Sequence, residues 1–265
     1  MYKHCFIGSD SHCGHRVGLT PPSYLHVPPK TSNHQAIKQY RLRKILWNWF
    51  SKEVKSCGKF DWGLWDGDMI EGDNKKSGGI ELIESDRDEQ SYMAIDIVKF
   101  VNAKKNDFIA GTPYHCGPVE SFERKIAKEF SSDLHNEGHF DINGLMVVAK
   151  HFIGNSSSPV SQSTAITSAM IKQMLWAELK QQPRANLIIR SHIHKCISVS
   201  NPAYNKAGWV TPALQGLGSR FGMIQYDGLP VAFGFLELFV ESRDNWGVKA
   251  HICPLSYQKA TVVKI

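Results

Sequence analysis

The chain has no apolar run long enough to cross a membrane; its longest, such as Val231–Phe235, are only strand-sized. It opens on Met1-Tyr2-Lys3-His4-Cys5, with no apolar stretch of signal-peptide length, so a cytoplasmic protein is expected. The six cysteines (Cys5, Cys13, Cys57, Cys116, Cys196, Cys253) are scattered and form no CxxC pair, which points to a reduced compartment. Charge is not lopsided: 31 Lys and Arg face 25 Asp and Glu, for a net +6. That balance suits anionic partners but is too small to establish nucleic-acid binding. There is no repeat, low-complexity segment or linker, so residues 1–265 are expected to form a single domain.

What the sequence does have is core and histidine. At 265 residues and 42% hydrophobic, it can bury a self-sufficient core. The 12 histidines invite the question of where they sit, since histidine is both the commonest metal ligand and an acid/base group.

Residues 3–9 read as a buried strand, followed by an irregular Pro/Gly/His-rich excursion over 13–34, expected to act as a lid. Ile37, Tyr40, Trp47, Phe50 and Val54 repeat at helical spacing over 34–56. A strand over 60–65, a helix over 86–105, a strand over 107–110 and a helix over 118–130 with Pro118 in its first turn follow. Asn143-Gly144 between Phe140–Ile142 and Leu145–Ile153 predicts a hairpin. A helix over 165–182 and a strand over 186–189 precede strand-like segments at 196–199, 209–211, 232–240, 248–253 and 261–263. The first part alternates strand and helix and the last third is β-rich. The expected fold is α/β, a four-layer αββα sandwich with two mixed β-sheets flanked by helices.

In open α/β sheets, ligands bind beyond the carboxyl ends of the strands. There the sequence places Asp10 and His12, Asp68, Thr112 and His115, His151, then His192 and His194. Asp and His are the donors a divalent cation takes. The successive gaps, Asp10 to Asp68, Asp68 to His115, His115 to His151 and His151 to His192, are 58, 47, 36 and 41 residues, each room for one crossover, so the side chains return to one edge. Asp-x-His and Gly-Asp each occur twice, so order rather than any single pair is informative. The second copies, Asp133/His135 and Gly72-Asp73, read as surface and loop.

That order carries a resemblance. Asp10-Ser11-His12, Gly67-Asp68-Met69-Ile70-Glu71-Gly72, Gly111-Thr112-Pro113-Tyr114-His115, His151 and Ser191-His192-Ile193-His194 resemble the motifs of calcineurin-like metallophosphoesterases. The GTPYHCG and HFIGNSSSP stretches look most like the viral and prokaryotic branch, whose members are mostly uncharacterised; for a viral chain the compartment would be the host cytoplasm. The resemblance implies two divalent metal ions, Mn²⁺ the expected one and Zn²⁺, Fe²⁺ or Ni²⁺ alternatives. Asp10, His12 and His194 would hold one, His151 and His192 the other, with Asp68 bridging.

The implied reaction is hydrolysis of a phosphate mono- or diester by a metal-bound hydroxide, with His115 as the acid at the leaving oxygen. The family's third motif is Gly-Asn-His; here Thr112 stands for Asn and His115 comes three residues later. Either Thr112 ligates weakly or His115 takes the metal position, and Asn155 could supply the missing amide. Ser191 replaces the family's Gly. Asn155, Arg220 and His15 are candidate substrate contacts, although a solvated loop is the default for His15 and Arg16. Asp66 reads as a turn residue, and His4, His26, His34, His139 and His251 as structural. A nuclease of the same fold and a catalytically silent metal-binding module are the alternatives, and oligomeric state is not legible.

Overall fold

The computed structural model describes the chain except residues 1, 30, 32, 118–120, 157, 220–230 and 256–265. Eleven strands form two mixed sheets among the described residues. The first has the order β11-β10-β1-β2-β3-β4 and the second β5-β6-β7-β9-β8. In the first, β1 (Lys3–Gly8), β2 (Trp62–Asp66), β3 (Lys105–Ile109) and β4 (Leu134–His135) run parallel. The hairpin of β10 (Gly234–Ser242) and β11 (Asn245–Ile252) is added antiparallel to β1. In the second, β6 (Leu145–Ala149), β7 (Leu187–Arg190) and β9 (Lys206–Val210) are parallel. The edges β5 (Gly138–Ile142) and β8 (Ile197–Asn201) are antiparallel.

Alternation along each strand sorts side chains into layers. Cys5, Ile7, Trp62, Leu64 and Ile109 point from the first sheet toward Leu145, Val147, Ala149, Leu187 and Ile189 of the second, forming the inter-sheet core. The opposite rows carry Phe6, Trp65, Phe108 and Phe235, which pack with α1 (His34–Cys57), α2 (Arg87–Val101) and α4 (Phe122–Glu129). Val148 and Ile188, on the outer face of the second sheet, pack against α5 (Thr164–Glu178). The four layers expected from the sequence are present.

Several boundaries differ from expectation for local reasons. The second helix stops at Val101 because Asn102 takes a left-handed conformation at its C-cap, which ends the helical ladder, and β3 starts at Lys105. The helix expected over 118–130 is α4, which starts only at Phe122, and a separate helical turn, α3 (Pro113–Cys116), precedes it; Pro118 lies outside the described residues, as does the expected strand 261–263. Asp133/His135, read as surface, flanks a short edge strand: His135 pairs with Ile109. In the 13–34 excursion, residues 17–21 are buried, while Ser23 and Tyr24 hydrogen-bond Asp96 and Glu89 of α2.

Leu64 lies fully buried in the centre of the inter-sheet core. Leu64→Ala is expected to destabilise the chain by about 2–5 kcal/mol. Urea unfolding should show a lower midpoint at an unchanged slope.

Candidate metal centre

The carboxyl ends of β1, β2, β3, β6 and β7 converge where the two sheets meet. Past them the chain turns sharply, and the turns share one backbone feature. Asp10, His12, Asp68, His192 and His194 all have positive φ, between 43° and 75°. Side chains other than glycine seldom adopt this region, and such residues cluster at functional sites. His192 and His194 lie beyond the end of β7, and their left-handed backbones aim them from a turn rather than from alternate positions of a strand.

The turns are tied to one another. Asp10 N–H donates to Gly67 O (2.9 Å) and His12 N–H to Asp68 O (3.1 Å). Glu123, fully buried on α4, accepts from Met69 N–H (2.9 Å) and Gly111 N–H (2.7 Å), joining the Asp68 turn to the Thr112 turn. Two glycines permit this closeness. A Cβ on Gly67, whose φ is +79°, would stand 2.6 Å from His151 Nδ1, and one on Gly111 would stand 2.3 Å from both Asp68 N and Oδ1.

Three groups of ligand-type atoms result, each within 4.8 Å: Asp10, Asp68, His151 and His192; Asp10, His12 and His194; and His12, Asp68 and His115. Six of the seven sequence-predicted ligands and His115 therefore come together. Asp10 is shared between two groups, as Asp68 is. Thr112, the seventh, hydrogen-bonds Asp68 through its N–H (2.6 Å to Oδ1) and its hydroxyl (3.0 and 3.2 Å to the two oxygens).

The histidine tautomers follow from their outer partners. His151 Nδ1–H donates to the Asp66 carbonyl, because a carbonyl can only accept. Its Nε2 then faces Asp68 Oδ2 at 2.9 Å, without hydrogen-bond geometry. Asp10 Oδ1, fully buried, also accepts no hydrogen bond, with His194 Nε2 3.3 Å away and the Nε2 atoms of His12 and His151 both 3.8 Å away. His12 Nδ1–H donates to Glu71 Oε2 (2.9 Å), and its Nε2 lies 3.3 Å from that of His194. His115 Nδ1–H donates to the Glu71 carbonyl (2.9 Å), and its Nε2 stands 4.0 Å from Asp68 Oδ2.

Burial alone would raise the carboxyls, yet the imidazoles around them win. Asp10, near His151 and His194, and Asp68, near His151 and His115, are held well below the usual carboxylate range. Glu71, against burial, is lowered to about 2 by His12. Conversely, His151 is driven well above the usual histidine value by Asp68 and Asp10 against its burial. His12 rises to about 10 through Asp10 and Glu71, again against burial. Burial keeps His115 and His194 low. The chain alone answers a cluster of buried anions with protons on histidine. Lone pairs aimed at carboxylate oxygens across a pocket wall fit a divalent cation, which would replace those protons.

Of these side chains, His12, Asp68, His115, His192 and His194 line a cavity of about 280 Å³. Asn155 and His15 line it too. Asn155 Oδ1 accepts from Lys195 Nζ (2.9 Å). His15 is buried rather than solvated, and its Nδ1 accepts from Val17 N–H (3.1 Å). Arg220 lies outside the described residues.

Glu71, Asp66 and Glu123 were missed by sequence reasoning. Asp66 is no turn residue: it ends β2, is fully buried and accepts from Ser191 Oγ, and burial pushes its carboxyl up to about 6. Glu71 stood inside the quoted GDMIEG stretch, so adjacency to Asp68 was the available signal.

No protein-family model and no curated protein matches the chain. Among solved structures it is similar to a single mutant of Vps29 from Entamoeba histolytica, at 12% identity and a TM-score of 0.46, covering 94% of this chain and 99% of that one. It is also similar to an archaeal phosphodiesterase, at 9% identity and TM-score 0.44, covering 94% and 99%. A predicted phosphoesterase from Streptococcus pneumoniae matches at 9% and 0.39, covering 95% and 99%. Likeness at this level carries no functional argument.

Gly111→Ala is expected to displace the Asp68 carboxylate. Calorimetric titration with Mn²⁺ should show weakened uptake while far-ultraviolet circular dichroism is unchanged.

Proposed function

We propose that this chain hydrolyses a phosphate mono- or diester at a centre of two divalent cations. The observation that carries the reading is the confrontation of acceptors: His151 Nε2 against Asp68 Oδ2, and Asp10 Oδ1 buried with no hydrogen bond. Only a proton or a cation reconciles such groups. Asp10, His12 and His194 would hold one ion and His151 and His192 the other, with Asp68 shared. Once bound, the ions supply Lewis-acid neutralisation of phosphate oxygens and a water acidified to attack near neutral pH.

The chain's own groups orient that chemistry. Thr112 fixes the Asp68 carboxylate with two donors, in the place where the resemblance would put an amide ligand. Glu71 and the Asp66 carbonyl fix the tautomers of His12 and His151. Such outer partners typically alter metal affinity about 10–100-fold. His115 commits Nδ1–H to Glu71 and lines the cavity. A proton on its Nε2 would be given up readily, because burial lowers its basicity. That suits protonation of the leaving oxygen. His15 and Asn155, which line the cavity, would contact the substrate.

The cavity is at the small end of ligand pockets, which run to about 300–1,000 Å³. A small phosphate ester fits it better than a nucleic-acid duplex.

With Mn²⁺, p-nitrophenyl phosphate or bis-p-nitrophenyl phosphate should be hydrolysed, with loss of activity on chelation and in Asp68→Asn. Saturating Mn²⁺ or Zn²⁺ without turnover of either ester would favour a silent module instead. His115→Asn should lower kcat about 10²–10⁴-fold for an alkyl phosphate and far less for nitrophenyl esters, whose leaving groups need no acid. Equal loss on both, with weakened metal uptake, would make His115 a ligand.

A further inference from the structure

A second group of ligand-type side chains lies away from the cavity, at the other end of β1. Cys57 Sγ, Glu237 Oε and His251 Nε2 fall within 4.8 Å of one another. They come from the last residue of α1, the middle of β10 and the end of β11. Glu237 is 4% exposed, in the row Phe235–Glu237–Phe239 of β10 that faces α1 and is otherwise aromatic. A buried carboxylate in an apolar row needs a positive partner.

The neighbouring histidines have the wrong protons to be that partner as neutral rings. His251 faces carboxylates on both sides: Nε2 is 2.8 Å from Glu237 Oε2 and Nδ1 is 3.1 Å from Glu53 Oε2. A neutral imidazole has one N–H, so one of these contacts sets acceptor against acceptor. His4 repeats the pattern. Its Nδ1–H donates to the Lys59 carbonyl (3.0 Å), leaving Nε2 2.6 Å from Glu237 Oε1. Both rings are held by stacking, His251 on Phe235 at 4.6 Å and His4 on Phe239 at 5.1 Å.

We propose that Cys57, His251 and Glu237 form a Zn²⁺ site that clamps the end of α1 to the β10–β11 hairpin. The donors are one thiolate, one imidazole and one carboxylate, a set that a borderline-soft cation takes with a fourth position left for water. Cys57 Sγ lies 3.8 Å from His251 Nε2. Tetrahedral zinc with bonds of about 2.3 Å to sulfur and about 2.0–2.1 Å to nitrogen puts those atoms about 3.6 Å apart, and its entry opens the 2.8 Å contact between His251 Nε2 and Glu237 Oε2 to about 3.3 Å. Glu53, one helical turn before Cys57 on the same face of α1, then accepts from His251 Nδ1–H, the carboxylate–histidine–zinc arrangement that fixes a ligand ring. Cys57 is half-buried, which leaves a route for the ion. Lys249 Nζ, 3.8 Å from Glu237 and largely exposed, can swing outward as the ion enters.

Titration with Co²⁺ tests this independently of the phosphoesterase reading, because among the described residues none of the side chains grouped at the cavity is a thiol. The wild-type chain should develop a near-ultraviolet thiolate-to-cobalt charge-transfer band, quenched by Zn²⁺. The band should persist in Asp68→Asn and vanish in Cys57→Ser, with phosphoesterase activity kept in the latter. Glu53→Gln should weaken Zn²⁺ binding about 10–100-fold. This variant also serves if Cys57→Ser fails to fold. No thiolate band in the wild-type chain, a band that survives Cys57→Ser, or unchanged zinc affinity in Glu53→Gln would overturn the proposal.

Discussion

Two buried carboxylates, Asp10 and Asp68, dominate the structure's electrostatics. They sit where the sheets abut, nearly without contact with water, and both are held ionised. An uncompensated buried charge costs several kcal/mol, so the surrounding chain is organised to supply positive charge. Histidines arrive from both sheets to provide it. The tight turns, the close glycines and the helix-borne Glu123 are what allow five strand ends to bring those side chains within a few ångströms.

That arrangement explains why backbone strain is concentrated here. A strand running on in regular fashion would carry alternate side chains to opposite faces and away from a common point. The left-handed turns at Asp10, His12, Asp68, His192 and His194 redirect the side chains within one or two residues of the strand ends. Each such conformation costs about 1–3 kcal/mol, which the hydrogen bonds between turns and the packing beneath them offset.

Much of this was legible in the sequence, for identifiable reasons. Apolar runs and their alternation mark the strands and the two-sheet architecture, and Asn143-Gly144 marks a hairpin. Asp10, His12, Asp68, His115, His151, His192 and His194 could be nominated because each follows a strand and each gap holds one crossover. The supporting carboxylates were barely legible: Glu71 carried only its adjacency to Asp68, and the partners of Glu71, Asp66 and Glu123 stand 59, 125 and 54 positions away, so local sequence does not show their burial. The Cys57, His251 and Glu237 group was hidden for the same reason: α1, β10 and β11 meet only once the fold has assembled. His4 and His251 were set aside as structural because spacing along the chain cannot show who stands across a sheet.

The division of the centre between the sheets has a consequence for the order of events in folding. Asp10, Asp68 and His115 ride on the first sheet, and His151, His192 and His194 on the second. Either sheet alone offers half a binding set, separated from its complement by 36 or more positions of chain. Local β-pairing cannot assemble the pocket; only face-to-face docking can. Capture of an ion would therefore come last in folding and act as a bolt between layers already aligned, so that ion affinity becomes a gauge of how well the two sheets are seated.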